Sequence, residues 1–365
     1  MSPGPSWPFR PTPANDEILS SYLARIAYAH GLPPYRFFSF FFPGVPIWNR
    51  DIDRSASDQL IDGVATRCGV SFEQVCSMTL RAYEASFRYI NPLRKQANPG
   101  ISRCINAAGI FHRNRKRHGM QYCPECLVEN MAFKRAWRLS FVTACSIHNC
   151  SLQDCCPRCG HPVIFHRSDS FHPNCHSCGG FLTTYSAATH PVKRLDERIR
   201  LQAFLLGIIE SGKVRILDRC VSSPDFFLGL MALFQIVRSK MRSKNRSCSV
   251  SELYANCPTA QMELLRIDDR ARQSLILINL LENWPAQFFE FADAQKLTQA
   301  TIQSRNKLPD WLNSVLSALP SGITRLRKAP SPFIRQKIQK LHRHKIGNWR
   351  AERAKLLLNA ARIQS

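Results

Sequence analysis

Between Cys123 and Cys178, seven cysteines and one histidine fall into four tight pairs: Cys123 with Cys126, Cys145 with His148, Cys156 with Cys159, and Cys175 with Cys178. Two residues separate the members of each pair, a gap that lets one turn aim both side chains at a single ion. Eighteen residues lie between the first two pairs, fifteen between the last two, and seven between the sets. Thiolate and imidazole in fours are the donors of tetrahedral Zn²⁺, so the spacing predicts two zinc ions. One would be held by Cys123, Cys126, Cys145 and His148, the other by Cys156, Cys159, Cys175 and Cys178. Four protein ligands apiece leave no position for a reactive water, and both ions are expected to be structural. Cys150 and Cys155 have no firm role, although only Cys156 keeps the two-residue gap to Cys159. Cys68, Cys76, Cys104, Cys220, Cys248 and Cys257 are expected as free thiols, often buried.

The elements that must position these turns are helical. Asn15 is placed to cap a helix with Asp16 and Glu17 in its first turn. Ile18, Leu19, Tyr22, Leu23, Ile26 and Ala27 then share a face ahead of a stop at Gly31. The aromatic run over 35–48 reads as core lining rather than a base-stacking platform. Residues 61–78 carry a helix-turn-helix pattern with Gly69 at the turn and Ser71 and Gln74 as a capping box. That pattern serves a DNA groove or a plain bundle equally, and the second helix has Glu73 and no basic residue. Residues 131–141 read as a helix between ligand pairs, with Trp137 and Phe141 on one face and Lys134, Arg135 and Arg138 on another. Helical signals return over 201–209, 226–237 and 275–281. Gly207 to Lys213 spells GIIESGK, but Val214 stands where a phosphate loop needs Ser or Thr, and a helix precedes it where that loop needs a strand.

Lys and Arg total 50 against 26 acids, a formal charge of +24 that favours a polyanionic partner, nucleic acid first. Residues 85–120 hold eight basic residues and no acid, culminating in Arg113, Arg115, Lys116 and Arg117. Residues 321–365 hold twelve and a single acid, Glu352. Phosphate contacts are therefore expected at those four positions and, in the tail, at Arg325, Arg327, Lys328, Arg335, Lys337, Arg343 and Lys345. The opening residues lack the pattern of a signal peptide and no run approaches a membrane span, so a soluble, cytoplasmic, nucleoid-associated protein with no membrane contact is expected.

Several of these segments resemble the TniQ/TnsD family of transposition target-selection proteins. Residues 16–27, with their acidic residues, serines and Arg25, resemble the family's opening helix. Residues 122–130, 136–145, His148 and 156–160 follow in family order, and residues 281–285 with Phe288 resemble an element of its C-terminal helical region. The resemblance implies a non-enzymatic adaptor. It would join a target, recognised directly on DNA or through a CRISPR RNA-guided complex, to a transposition ATPase and its transposase, and it is compatible with a homodimer.

The expected architecture is mainly α. It comprises an N-terminal helical region with helix-turn-helix elements (1–90), a basic loop with two structural zinc modules of ribbon or treble-clef type (91–190), a C-terminal helical domain (191–320) and a basic tail (321–365). The alternative function is a zinc-containing helix-turn-helix transcription regulator. A zinc-dependent hydrolase or deaminase would need an open metal position and a general base, for which only Glu125 and Glu129 lie near the first set.

Overall fold

The computed structural model describes residues 6–90, 103–108, 110–111, 114–115, 117–168, 173–184, 194–216, 219–241, 260–302 and 308–320. The fold is mainly α, as expected. The N-terminal helices are α1 (Leu19–Ala29), α2 (Pro34–Phe41), α3 (Ile52–Ser55), α4 (Asp58–Cys68), α5 (Phe72–Ser77) and α6 (Arg81–Ser86). A two-residue hairpin follows, β1 (Ile110–Phe111) with β2 (Asn114–Arg115), and then α7 (Pro124–Asn130) and a second hairpin, β3 (Ala144–Cys145) with β4 (Cys150–Ser151). Beyond them α8 (Leu195–Ser211) leads through the hairpin β5 (Lys213–Ile216) and β6 (Arg219–Ser222) into α9 (Ser223–Met241). The last helices are α10 (Ile267–Leu281), α11 (Ala286–Ala294), α12 (Gln299–Ile302) and α13 (Asp310–Leu316). Buried apolar residues from Trp7 to Leu319 form one contiguous cluster.

Helix α1 buries the face its periodicity marks, including Leu19, Tyr22, Leu23, Ile26 and Ala27, but it begins at Leu19 and Asn15 does not cap it. Asp16 turns the chain at φ 55°, and both acids are used elsewhere. Asp16 accepts from Arg135 Nε and the Ala136 N–H, while the Glu17 carboxylate takes the Ala14 N–H, the Ser21 hydroxyl and Arg25. Asp16 is thus taken by a segment about 120 residues away, whereas Glu17 is held by neighbours at the start of α1 and within it. In the aromatic run, Phe37, Phe38, Phe42 and Trp48 are buried, and Trp7 packs on Phe37 at 5.0 Å between ring centroids.

The turn between α4 and α5 is built as read. Ser57 accepts the Leu60 N–H, Gly69 closes α4 at φ 70°, and Ser71 accepts the Gln74 N–H at 3.0 Å. The phosphate-loop lookalike is a helix end: Gly207 to Ser211 finish α8, Gly212 turns the chain and β5 follows, the reverse of strand, loop and helix.

Residues 131–141 depart most from expectation. They form a single 3₁₀ turn over Arg135–Arg138 within irregular chain. Arg138 does not share a basic face: its side chain is fully buried, 2.9 Å from Asp53 and 2.5 Å from Asp51. Asp53 also accepts the Ser20 N–H and hydroxyl, so α1, α3 and this segment meet at one ionic knot. A guanidinium can be buried here because two carboxylates and the Asn106 carbonyl surround it.

Candidate metal centres

The first ligand group is assembled by α7 and the β3–β4 hairpin. Cys123 precedes α7 and Cys126 lies in its first turn, where Pro124 starts the helix. Cys145 ends β3 and His148 sits in the loop that returns to β4. Cys126 Sγ is 3.7 Å from Cys145 Sγ and 3.3 Å from His148 Nδ1, which lies 3.5 Å from Cys123 Sγ and 3.6 Å from Cys145 Sγ. A tetrahedral zinc with its usual bond lengths has edges of about 3.8 Å between sulfurs and about 3.6 Å from sulfur to nitrogen. The donors match that figure, so the group could hold a metal ion. The ring's other nitrogen, Nε2, lies 3.0 Å from the Glu129 carboxylate. That contact is the usual outer support of a metal-bound imidazole, and it puts Glu129 on the far side of the ring from the ligand cluster.

The second group is two matching knuckles. After Cys159 and Cys178 come Gly160 at φ 72° and Gly179 at φ 68°, a conformation that residues with a Cβ resist. Each knuckle closes with the same pair of bonds. The Gly160 N–H donates to Cys156 O and the Cys156 N–H to His161 O; the Gly179 N–H donates to Cys175 O and the Cys175 N–H to Gly180 O. Cys156 Sγ lies 3.7 Å from Cys178 Sγ, and Cys159 Sγ 3.6 Å from Cys175 Sγ, again tetrahedral edges. The Gly180 N–H beside Cys178 lowers its thiol pKa.

Residues 8–152 match the family model described as TniQ. The chain contains a TniQ domain. No curated protein matches it at a significant level. The TniQ family comprises transposition-associated DNA-binding adaptors that are in general non-catalytic. The matched span contains the whole first metal group and the Arg138 knot, whereas Cys156 through Cys178 lie beyond it.

Buried polar contacts bind this TniQ domain together and to the C-terminal helices. Within it, the Ser21 hydroxyl accepts the Phe133 N–H, joining α1 to the segment between the ligand pairs. From α8, Arg198 donates to Thr143 Oγ1 and O, and Gln202 donates to Ala144 O, which pins α8 to the strand carrying Cys145. From α10, Arg270 donates to Asn106 Oδ1 and Leu265 O and lies 3.6 Å from Asp154. Desolvation lowers the guanidinium pKa of both Arg198 and Arg270 to about 10. Arg138, Arg198 and Arg270 count toward the net charge yet present none of it to a partner.

A third cluster, His118, Asp154 and Cys155, has ligand atoms close together. Its carboxylate already receives Arg266 and the Ile267 N–H, with Arg270 beside it, so a cation would have to displace guanidinium groups. Of the expected phosphate contacts, Arg117 is exposed and Arg115 lies on β2. Arg113, Lys116, Arg325, Arg327, Lys328, Arg335, Lys337, Arg343 and Lys345 lie outside the described residues. Spacing revealed all eight candidate ligands. Glu129 was legible only as an acid near the first set; its contact with the His148 ring was not, because the bend that brings them together is tertiary.

Proposed function

We propose that this protein is a non-catalytic adaptor that selects target sites for DNA transposition, linking target DNA or a CRISPR RNA-guided complex to the transposition ATPase and transposase. The TniQ match over residues 8–152 carries this reading. In it, both ligand groups hold structural Zn²⁺, and the eight donors keep the central turns in shape for protein contact. Nucleic acid is held through phosphates by Arg113, Arg115, Lys116 and Arg117 and by the basic tail. Exposed Lys213, Arg215 and Arg219 on the β5–β6 hairpin add to that set.

The regulator alternative gains nothing from α5. Its exposed positions include Glu73, Gln74 and Ser77, and its C-terminal end is tied inward, where the Leu19 N–H donates to Met78 O and Arg135 to Ser77 O. Affinity capture with the purified full-length protein from its own cell extract, with nuclease and salt controls, tests the proposal. Recovery of a transposition ATPase or an RNA-guided complex is expected; recovery of one promoter-like duplex alone would overturn it.

A further inference from the structure

The first ligand group has a fifth donor beside it. Cys150 Sγ lies 3.6 Å from Cys123 Sγ, close to the 3.5 Å that separates Cys123 Sγ from His148 Nδ1. Strand register explains the placement, because Cys150 is the cross-strand partner of the ligand Cys145 in the β3–β4 hairpin. His148 stands on the loop between those strands, so it and Cys150 approach the same cluster from neighbouring positions. The four donors that include His148 are mutually close, and Cys150 touches that set at its Cys123 corner.

We propose that Cys150 is the reserve ligand of the first centre, taking the fourth position when His148 leaves it. The exchange breaks one metal–nitrogen bond and forms one metal–sulfur bond, and the Cys150 thiol gives its proton to the buffer. A cysteine side chain needs only a rotation about χ1 to move its sulfur, and thiolate is the ligand that zinc already meets at the other three corners. His148 keeps the place in the intact protein because Glu129 holds its ring in the ligating orientation. The proposal rests on the reading of this group as a metal centre.

Zinc content and cobalt spectra of the full-length protein test it. About two zinc ions per chain are expected in the wild type, in Cys150→Ser and in His148→Ala, and about one in the His148→Ala, Cys150→Ser double variant. With Co²⁺ in place of zinc, His148→Ala should gain thiolate charge-transfer intensity equal to one further metal–sulfur bond. Loss of an ion from His148→Ala alone would overturn the proposal, as would loss from Cys150→Ser alone, which would make Cys150 a resident ligand. Glu129→Ala leaves all five donors in place and guards against misfolding of the His148 variant. Its metal should resist a chelator as the wild type does until Cys150→Ser is added, and then be lost at least tenfold faster; no difference between these two variants would also overturn it. A wild type that binds no metal at Cys123, Cys126 and Cys145 would remove the underlying reading, which a normal wild-type zinc content separates from failure of the reserve role.

Discussion

Arg138 shows how one side chain can be read correctly by type and wrongly by place. A guanidinium with no exposed surface between Asp51 and Asp53 is an internal clamp, and its removal strands two carboxylates in the core. Arg138→Ala is therefore expected to destabilise the fold by about 3–5 kcal/mol in denaturant unfolding. Arg138→Lys should recover little of this, because a single ammonium cannot span both acids. An Arg138→Ala protein as stable as the wild type would show that the clamp contributes nothing. At the ligands, Cys126→Ser should remove one zinc and loosen the turns around α7, since binding energy at a structural site is folding energy. Metal analysis that still finds both ions would contradict the assignment of Cys126. Acidification should release metal from both groups, because each cysteine thiol must lose its proton to bind and protonation of the thiolates competes with the metal.

At the scale of elements, local chemistry was legible wherever a helix end is closed by its own residues. Ser71 and Gly69 sit where their types say they should. The failures fall where a distant partner decides: Asp16 serves the segment 131–138 instead of the start of α1, and that segment stays out of an α-helix because Ser21, Asp16 and Gln121 take up its backbone groups. The helix α5 exposes an acid and carries no basic residue, so Glu73→Ala with Gln74→Ala should leave DNA affinity unchanged; a clear fall would restore α5 as a reading helix. On α9, a Cβ at Gly229 would overlap the indole of Trp311 from α13, which packs against α9 and donates to Asp225 O at 3.1 Å. Gly229→Ala should lower stability by about 1–3 kcal/mol, measured by thermal or denaturant unfolding, with Trp311→Phe relieving part of the loss.

Across the whole molecule, the charge of +24 divides into what is spent inside and what faces out. Arg138, Arg198 and Arg270 are buried against carboxylates and carbonyls, and Arg266 holds Asp154 from a half-exposed position. Charge reversal at Arg115, Lys116 and Arg117 is expected to weaken nucleic-acid binding alike for all sequences and to flatten its dependence on salt. An unchanged salt slope would place the phosphate contacts elsewhere. No helix among the described residues is long and apolar enough to cross a membrane.

By itself the sequence determined what acts over a few residues: the paired donors, the glycines that close their knuckles, the helix caps and the apolar faces. Such features are set by φ and ψ preferences and by side chains close along the chain, so they need no knowledge of the fold. Tertiary structure alone decided that Glu129 supports His148, that Cys150 stands beside Cys123, that Arg198 ties α8 to the strand bearing Cys145, that Arg138 ties α3 to the segment between the ligand pairs, and that Arg270 ties α10 to Asn106. Those roles depend on desolvation and on partners up to 164 residues apart, and neither burial nor proximity is written in a residue's type.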